Sequence, residues 1–274
     1  MLSFKPIIIT LKNRPDRIEK IKSFYQPYIN EIEFFYGLPK DELRKYKSKI
    51  TTKYCNNFCT LPMVGCASSH ILTWFEISKM KDGLYMVIED DTFINLSEVE
   101  KKFQDINDLF KKYKNLLLQI VGEGLHSDYE EVFNSLVLDK YKYNFFLGCY
   151  MLTPSTANML YQYFFTKKIS YHIDFSLNYI KDLKILILRD KNIGEQKGLT
   201  DSNMKESNSN LFYEDNYNRL YYALNFPICT LGSIIITFNV ILLFLFIILA
   251  CFYKNVFIFG IIGVFLLDII KFDY

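Results

Sequence analysis

Leu84-Tyr85-Met86-Val87-Ile88 runs directly into Glu89-Asp90-Asp91, and this junction decides how the chain folds. Consecutive apolar residues fit a short strand buried on both faces, the pattern of a parallel sheet. The three carboxylates then fall at its carboxyl end, the edge where open α/β sheets collect their ligands. Like charges this close repel, and a hard divalent cation bridging to a substrate phosphate is a common way to offset the cost. A solvated acidic turn, or Asp91 or Ser97 capping the next helix, is the plainer alternative. An aspartyl nucleophile of the phosphatase kind needs Asp-x-Asp-x-Thr after the strand. Here Glu89 takes the first position and Thr92 directly follows Asp91, so that pattern is not met.

Upstream, Ile7 to Leu11 reads as a buried strand, Lys12 to Asp16 as a turn with Pro15 in a first helical turn, and Ile18, Ile21, Phe24, Tyr25 and Tyr28 recur at helical spacing. Glu31 to Tyr36 resembles a second strand, and Lys40 to Lys53 a polar connection. Gly65 to Met80 is a helix candidate opening on Gly65-Cys66-Ala67-Ser68-Ser69-His70, where Ser68 or Ser69 is placed to cap it. A four-ligand zinc set of Cys55, Cys59, Cys66 and His70 is the bolder reading of the same stretch.

Downstream come an amphipathic stretch from Ser97 to Tyr113, a strand from Leu116 to Val121 and a Gly122-Glu123-Gly124 loop. A strand from Phe145 to Leu152, a helix from Pro154 to Phe165 and a strand from Lys184 to Leu188 follow. Strands alternating with helices predict an α/β domain with a largely parallel sheet.

The chain has 274 residues with Lys+Arg 32 against Asp+Glu 30, a net charge of +2, so no excess of basic charge calls for a nucleic acid. Hydrophobic residues make up 50%, far from the composition of disorder. They concentrate in the tail. Ile228 to Tyr253 has no charge, where about 20 apolar residues suffice to cross a membrane. A shorter apolar run from Val256 to Ile270 would complete a helical hairpin or lie in the interface. The apolar run near Met1 is too short for a secretory signal. The expectation is therefore a catalytic domain in the cytosol anchored by its C-terminus, with the six cysteines as reduced thiols.

The residues also carry a resemblance. Ile8-Ile9-Thr10-Leu11-Lys12-Asn13-Arg14-Pro15-Asp16-Arg17, then Gly65-Cys66, Ser69-His70 and Trp74, then Ile88-Glu89-Asp90-Asp91, then Gly148-Cys149-Tyr150 with Ala157, and Asp174 downstream, resemble glycosyltransferase family 25 in order and spacing. That family includes lipooligosaccharide and collagen galactosyltransferases. The resemblance implies a GT-A-like, nucleotide-sugar-binding catalytic domain over residues 1–205; outside it, composition sets a polar linker over 206–227 and a membrane anchor over 228–274. It implies metal-dependent, inverting transfer of galactose or glucose from a UDP-sugar donor to a glycan or protein hydroxyl. Mn2+ or Mg2+ would be held by Glu89, Asp90 and Asp91. Thr10, Arg14, Arg17, Ser69 and Asp90 are then candidates for nucleotide contacts. Asp174 is the first candidate for the base that takes the acceptor proton, Glu123 the second, and His70 is placed to orient the donor or pair with a carboxylate. A membrane-anchored binding protein on an inactive transferase fold is the alternative, and retention of all three carboxylates speaks against it.

Overall fold

The computed structural model describes residues 2–190, 192–196, 227–231, 234–252, 258 and 260–261. The chain divides into two units, residues 1–51 with 61–202, and residues 52–60 with 203–274. In chain order the elements of the first unit are β1 (Lys5–Thr10), α1 (Pro15–Phe24), β2 (Glu33–Tyr36), α2 (Lys40–Ile50), α4 (Leu61–Ser78), β3 (Tyr85–Glu89), β4 (Thr92–Ile94), α5 (Leu96–Lys101) and α6 (Phe103–Lys112). They continue with β5 (Leu116–Phe133), β6 (Leu136–Leu152), α7 (Pro154–Lys167), α8 (Ile173–Leu177), β7 (Lys184–Leu188) and β8 (Gly194–Gln196). The second unit holds α3 (Lys53–Phe58), β9 (Pro227–Leu231), β10 (Ile234–Thr237) and α9 (Phe238–Phe252).

Six strands form the main sheet in the order β2-β1-β3-β6-β5-β7. β1 runs parallel to β2 and β3, β5 runs parallel to β7, and β6 is antiparallel to both β3 and β5. Five strands thus share one direction and β6 alone is reversed, so the sheet is largely parallel, as the alternation of strands and helices predicts.

Because successive strand residues face opposite sides, β3 feeds two cores. Met86 and Ile88 join the buried cluster containing Ile8, Ile21, Tyr25, Ile106, Leu109, Leu118 and Met151. This cluster lies under α1, α5 and α6. Tyr85, Val87 and Glu89 turn to the other side, where Trp74 and Phe164 bring their rings within 5.8 Å between α4 and α7.

Two segments differ from the sequence reading. Lys40 to Lys53 is not a connection: Lys40–Ile50 is helical, with Asp41 and Glu42 in its first turn and Lys47 and Lys49 in its last, complementing the helix dipole. Only Leu43 is buried on it, so no apolar stripe announces it. Gly122-Glu123-Gly124 is not a loop but part of β5, which pairs with β6 from Leu118 to Phe133 and turns at Asn134-Ser135. Register shifts on either side of Val121 mark bulges there, a setting in which glycine is common within a strand. Beyond β7, residues 189–190 and 192–196 stay with the first unit. Ile193 is fully buried, β8 pairs with β4, and Arg189 bonds the Asp139 and Glu130 carboxylates.

In the second unit, Cys55 and Cys59 form a disulfide, which corrects the expectation of six reduced thiols and removes the four-ligand zinc set. The predicted span from Ile228 does not begin as a helix: its first residues form the antiparallel β9–β10 hairpin, and the described part of α9 runs from Phe238 to Phe252. Among the described residues no helix is long and apolar enough to cross a membrane. The polar linker expected over 206–227 and the second apolar run lie almost wholly outside the described residues.

Candidate functional site

The acidic trio does not act as one group. Glu89 lies on the α4 side of the sheet, whereas Asp90 is buried on the α1 side, where Arg17 Nη1 pairs with its Oδ1 and the Thr10 hydroxyl donates to its Oδ2 at 2.8 Å. Thr10 and Arg17 are buried with it. Burial pushes the Asp90 carboxyl up from its ordinary value, and the Arg17 charge works against that rise. Both oxygens of Asp90 are thus engaged from the α1 side, where Thr10 and Arg17 fasten the strand end. Strand alternation is the physical reason that Asp90 and Glu89 face opposite ways.

Glu89 joins a different set. His70, fully buried on α4, has its Nε2 at 3.1 Å from Glu89 Oε1 and its Nδ1 at 2.9 Å from the Tyr150 hydroxyl. Trp74 Nε1–H donates to that same hydroxyl at 2.8 Å. One proton arrangement satisfies every member: the indole donates to Tyr150, Tyr150 donates to Nδ1, and Nε2–H donates to Glu89. The imidazole, which carries its motif position from the sequence, is held at both nitrogens, and it pairs with a carboxylate as expected. Cys66, one turn earlier on α4, points its Sγ at Glu89 Oε1 at 3.8 Å. It reaches the surface. Desolvation by the surrounding protein pushes its thiol up, and the charges of Glu89, Asp174 and Asp91 add to the rise. Those four residues are therefore electrostatic neighbours.

α4 begins at Leu61, so Ser68 and Ser69 are not caps. Ser68 donates to the Val64 carbonyl at 2.6 Å and Ser69 to the Gly65 carbonyl at 2.8 Å, within the helix. Ser69 is buried beneath Gly37, where an added Cβ would come within 2.5 Å of its Oγ. It packs the helix against the turn after β2. Arg14 is different: it bonds Asp16 at 2.8 Å at the start of α1, and Arg14 holds the Asp16 carboxyl down at about 2.

Asp174 sits in the first turn of α8, its Oδ1 accepting from the Phe175 N–H at 2.8 Å and its Oδ2 from the Phe146 N–H at 3.1 Å. Phe146 carries a positive φ of 56° on β6, a strained position for a bulky residue. Its carbonyl accepts from Gln119 Nε2 at 2.8 Å, and nearby Asn144 and Asn178 exchange amide bonds of 2.7 and 2.9 Å. Sequence reasoning missed this brace; two asparagines and a buried glutamine are its only signal. Glu123 lies on β5 opposite Phe145, in the same stretch of the ribbon as Phe146.

A site built at the carboxyl edge of an α/β sheet, with imidazole, thiol and carboxylates converging, defines an enzyme of the ligand-binding α/β class. The model of glycosyltransferase family 25, described as an LPS biosynthesis protein, matches residues 4–177, and the chain belongs to that family. It is a glycosyltransferase. No curated protein matches the chain. Among solved structures, the mannose-1-phosphate geranyltransferase of Thermus thermophilus is 8% identical, covering 68% of this chain and 74% of that one at a TM-score of 0.38. That likeness carries no weight for fold or function.

Proposed function

We propose that this glycosyltransferase moves galactose or glucose from a UDP-sugar to a hydroxyl of a glycan or protein acceptor, on a GT-A-like domain, with inversion and with a divalent cation. The observation that supports it is the convergence of Cys66, His70 and Glu89, with Asp91 and Asp174 as electrostatic neighbours, at the carboxyl edge of β3. With Asp90 engaged by Arg17 and Thr10, Glu89 is the member of the trio that faces the α4 side to hold a cation. The chemistry such a cation supplies is charge stabilisation of the leaving diphosphate.

The chain's own residues divide the remaining work. His70 fixes the Glu89 carboxylate and is itself fixed by Tyr150. Arg14 shares an ion pair with the exposed Asp16, and pairs of this kind exchange at little cost, so Arg14 rather than the buried Arg17 is the guanidinium to meet a phosphate. Asp174 takes the acceptor proton. Its two backbone donors orient the carboxylate, and each oxygen keeps a lone pair for the acceptor hydroxyl.

The test is UDP release from UDP-galactose and UDP-glucose by the full-length protein, beside calorimetry of UDP binding. Asp174→Asn is expected to cut turnover at least ~10²-fold, the scale of a lost general base, with UDP affinity within a factor of about 3, because a base adds little to ground-state binding. Wild-type turnover in that variant removes Asp174 from the reaction; no UDP binding by the native protein removes the donor assignment.

A further inference from the structure

We infer that the cation of this site is thiophilic, of the zinc class, and is held by Cys66 Sγ, His70 Nε2 and Glu89 Oε1. The three ligand atoms lie within 4.8 Å of one another. Zinc–ligand lengths of about 2.0–2.3 Å in a tetrahedron place ligand atoms roughly 3.3–3.8 Å apart. Here Sγ to Oε1 is 3.8 Å and Nε2 to Oε1 is 3.1 Å, so two edges lie at or close to that spacing, and small side-chain rotations would seat all three atoms on one ion. Three protein ligands with a fourth position left for water or substrate is the composition of a catalytic zinc site rather than a structural one.

The donor types separate this cation from Mn2+ and Mg2+. Those ions favour oxygen, whereas thiolate and imidazole select zinc-like metals. The outer shell also fits. A ligating imidazole is commonly held through its other nitrogen, and His70 Nδ1 already faces the Tyr150 hydroxyl at 2.9 Å, itself held by Trp74. On binding, the Cys66 thiol releases its proton to solvent as sulfur ligates. The His70 proton moves from Nε2 to Nδ1, where it donates to the Tyr150 oxygen, and the Tyr150 O–H that donated to Nδ1 rotates away from the ring. No redox step is involved. Cys66 at the surface gives the ion a path in, and His70 beneath it gives a rigid base.

This inference deepens the proposed function by naming the cation, and its test is independent of turnover. Full-length protein stripped with chelator is titrated with Co2+, the spectroscopic substitute for Zn2+. One equivalent is expected to give a near-ultraviolet sulfur-to-cobalt charge-transfer band together with tetrahedral d–d absorption, and Zn2+ should displace both. The charge-transfer band should vanish in Cys66→Ser, while His70→Gln and Glu89→Gln should each weaken binding at least ~10-fold, in line with removal of a ligand shell contact. Tyr150→Phe should weaken it less and leave the band in place. Circular dichroism confirms that each variant is folded; Cys66→Ser, at the surface, is the variant least exposed to that concern. A one-equivalent band surviving in Cys66→Ser, or tight Mn2+ binding with no cobalt–sulfur band, overturns the assignment. UDP binding measured in Cys66→Ser separates the two ideas, since retained affinity leaves the donor reading standing when the metal assignment fails.

Discussion

Arg17 and Asp90 form an ion pair buried between α1 and the end of β3, with the Thr10 hydroxyl on the second carboxylate oxygen. Removing one partner of such a pair leaves an uncompensated buried charge, at a cost of about 3–5 kcal/mol. Arg17→Met is expected to lose that much in urea denaturation at pH 7. An apolar replacement of both partners is often neutral or better, so Arg17→Met/Asp90→Leu should be more stable than Arg17→Met alone. A double variant no better than the single would mean that Asp90 is not the charge Arg17 compensates.

The same pair gives a pH dependence. Burial raises the folded pKa of Asp90 above its unfolded value, against the pull of Arg17. A raised carboxyl contributes stability that is complete below its unfolded pKa and is lost as pH rises through the folded one. Glu131 has the opposite sign. Burial raises its pKa, but hydrogen bonds from Tyr113 at 2.6 Å, Lys112 at 2.9 Å and Lys184 at 3.3 Å outweigh it and hold the carboxyl down at about 2. Its stabilisation is present above about pH 4.5 and is lost as pH falls towards 2. Glu131→Gln should therefore flatten the acid limb of the stability curve between those values, whereas Asp90→Asn should lose ground to the native protein as pH is lowered from 7 to 4. Parallel curves for Glu131→Gln and native protein would count against the Glu131 cluster.

β3 and its acidic end were legible because a run of buried apolar residues stops at Glu89. The role of each carboxylate was not, although strand alternation alone separates Glu89 from Asp90. Three adjacent acids read as one cluster only if their opposite directions are ignored. His70 and Trp74 were visible as a helical pair, but Tyr150 becomes their partner through the β3–β6 register, which pairs it with Val87 across antiparallel strands. No local pattern carries that register. Along the C-terminal run, hydropathy counts apolar residues without regard to backbone, so it does not show the pairing of Pro227–Leu231 with Ile234–Thr237 that precedes α9.

Gly37 and Ser69 offer a test of how tightly α4 is seated. A Cβ on Gly37 would meet Ser69 Oγ at 2.5 Å and Leu11 Cδ2 at 3.2 Å. Overpacking of this kind costs about 1–3 kcal/mol, and Gly37→Ala should lose that much in thermal or urea unfolding. Ser69→Ala removes the closest atom at the loss of one intrahelical bond to the Gly65 carbonyl. The double variant should then regain most of the stability. Additive losses in the two variants would show that α4 moves aside as a whole instead of meeting the new methyl at Ser69.

Glu89 tests whether the α4 face or the α1 face of the strand end carries the chemistry. It touches Cys66 and His70 and is only partly buried, whereas Asp90 is sealed against Arg17. Glu89→Gln preserves shape but removes the charge that faces both motif residues on α4. Turnover with a UDP-sugar should fall at least ~10²-fold, the scale of losing a main charge-stabilising contact. Its midpoint in urea should move little, because a side chain that keeps some water is not an uncompensated buried charge when neutralised. Asp90→Asn should show the smaller loss of turnover per folded molecule, because Asp90 faces Arg17 and Thr10 and not the α4 side. Measuring both quantities on both variants separates the faces. If Asp90→Asn were the more damaging to turnover while remaining as stable as native protein, the reacting carboxylate would lie on the α1 side, and the site would have to be rebuilt around Arg17 and Thr10.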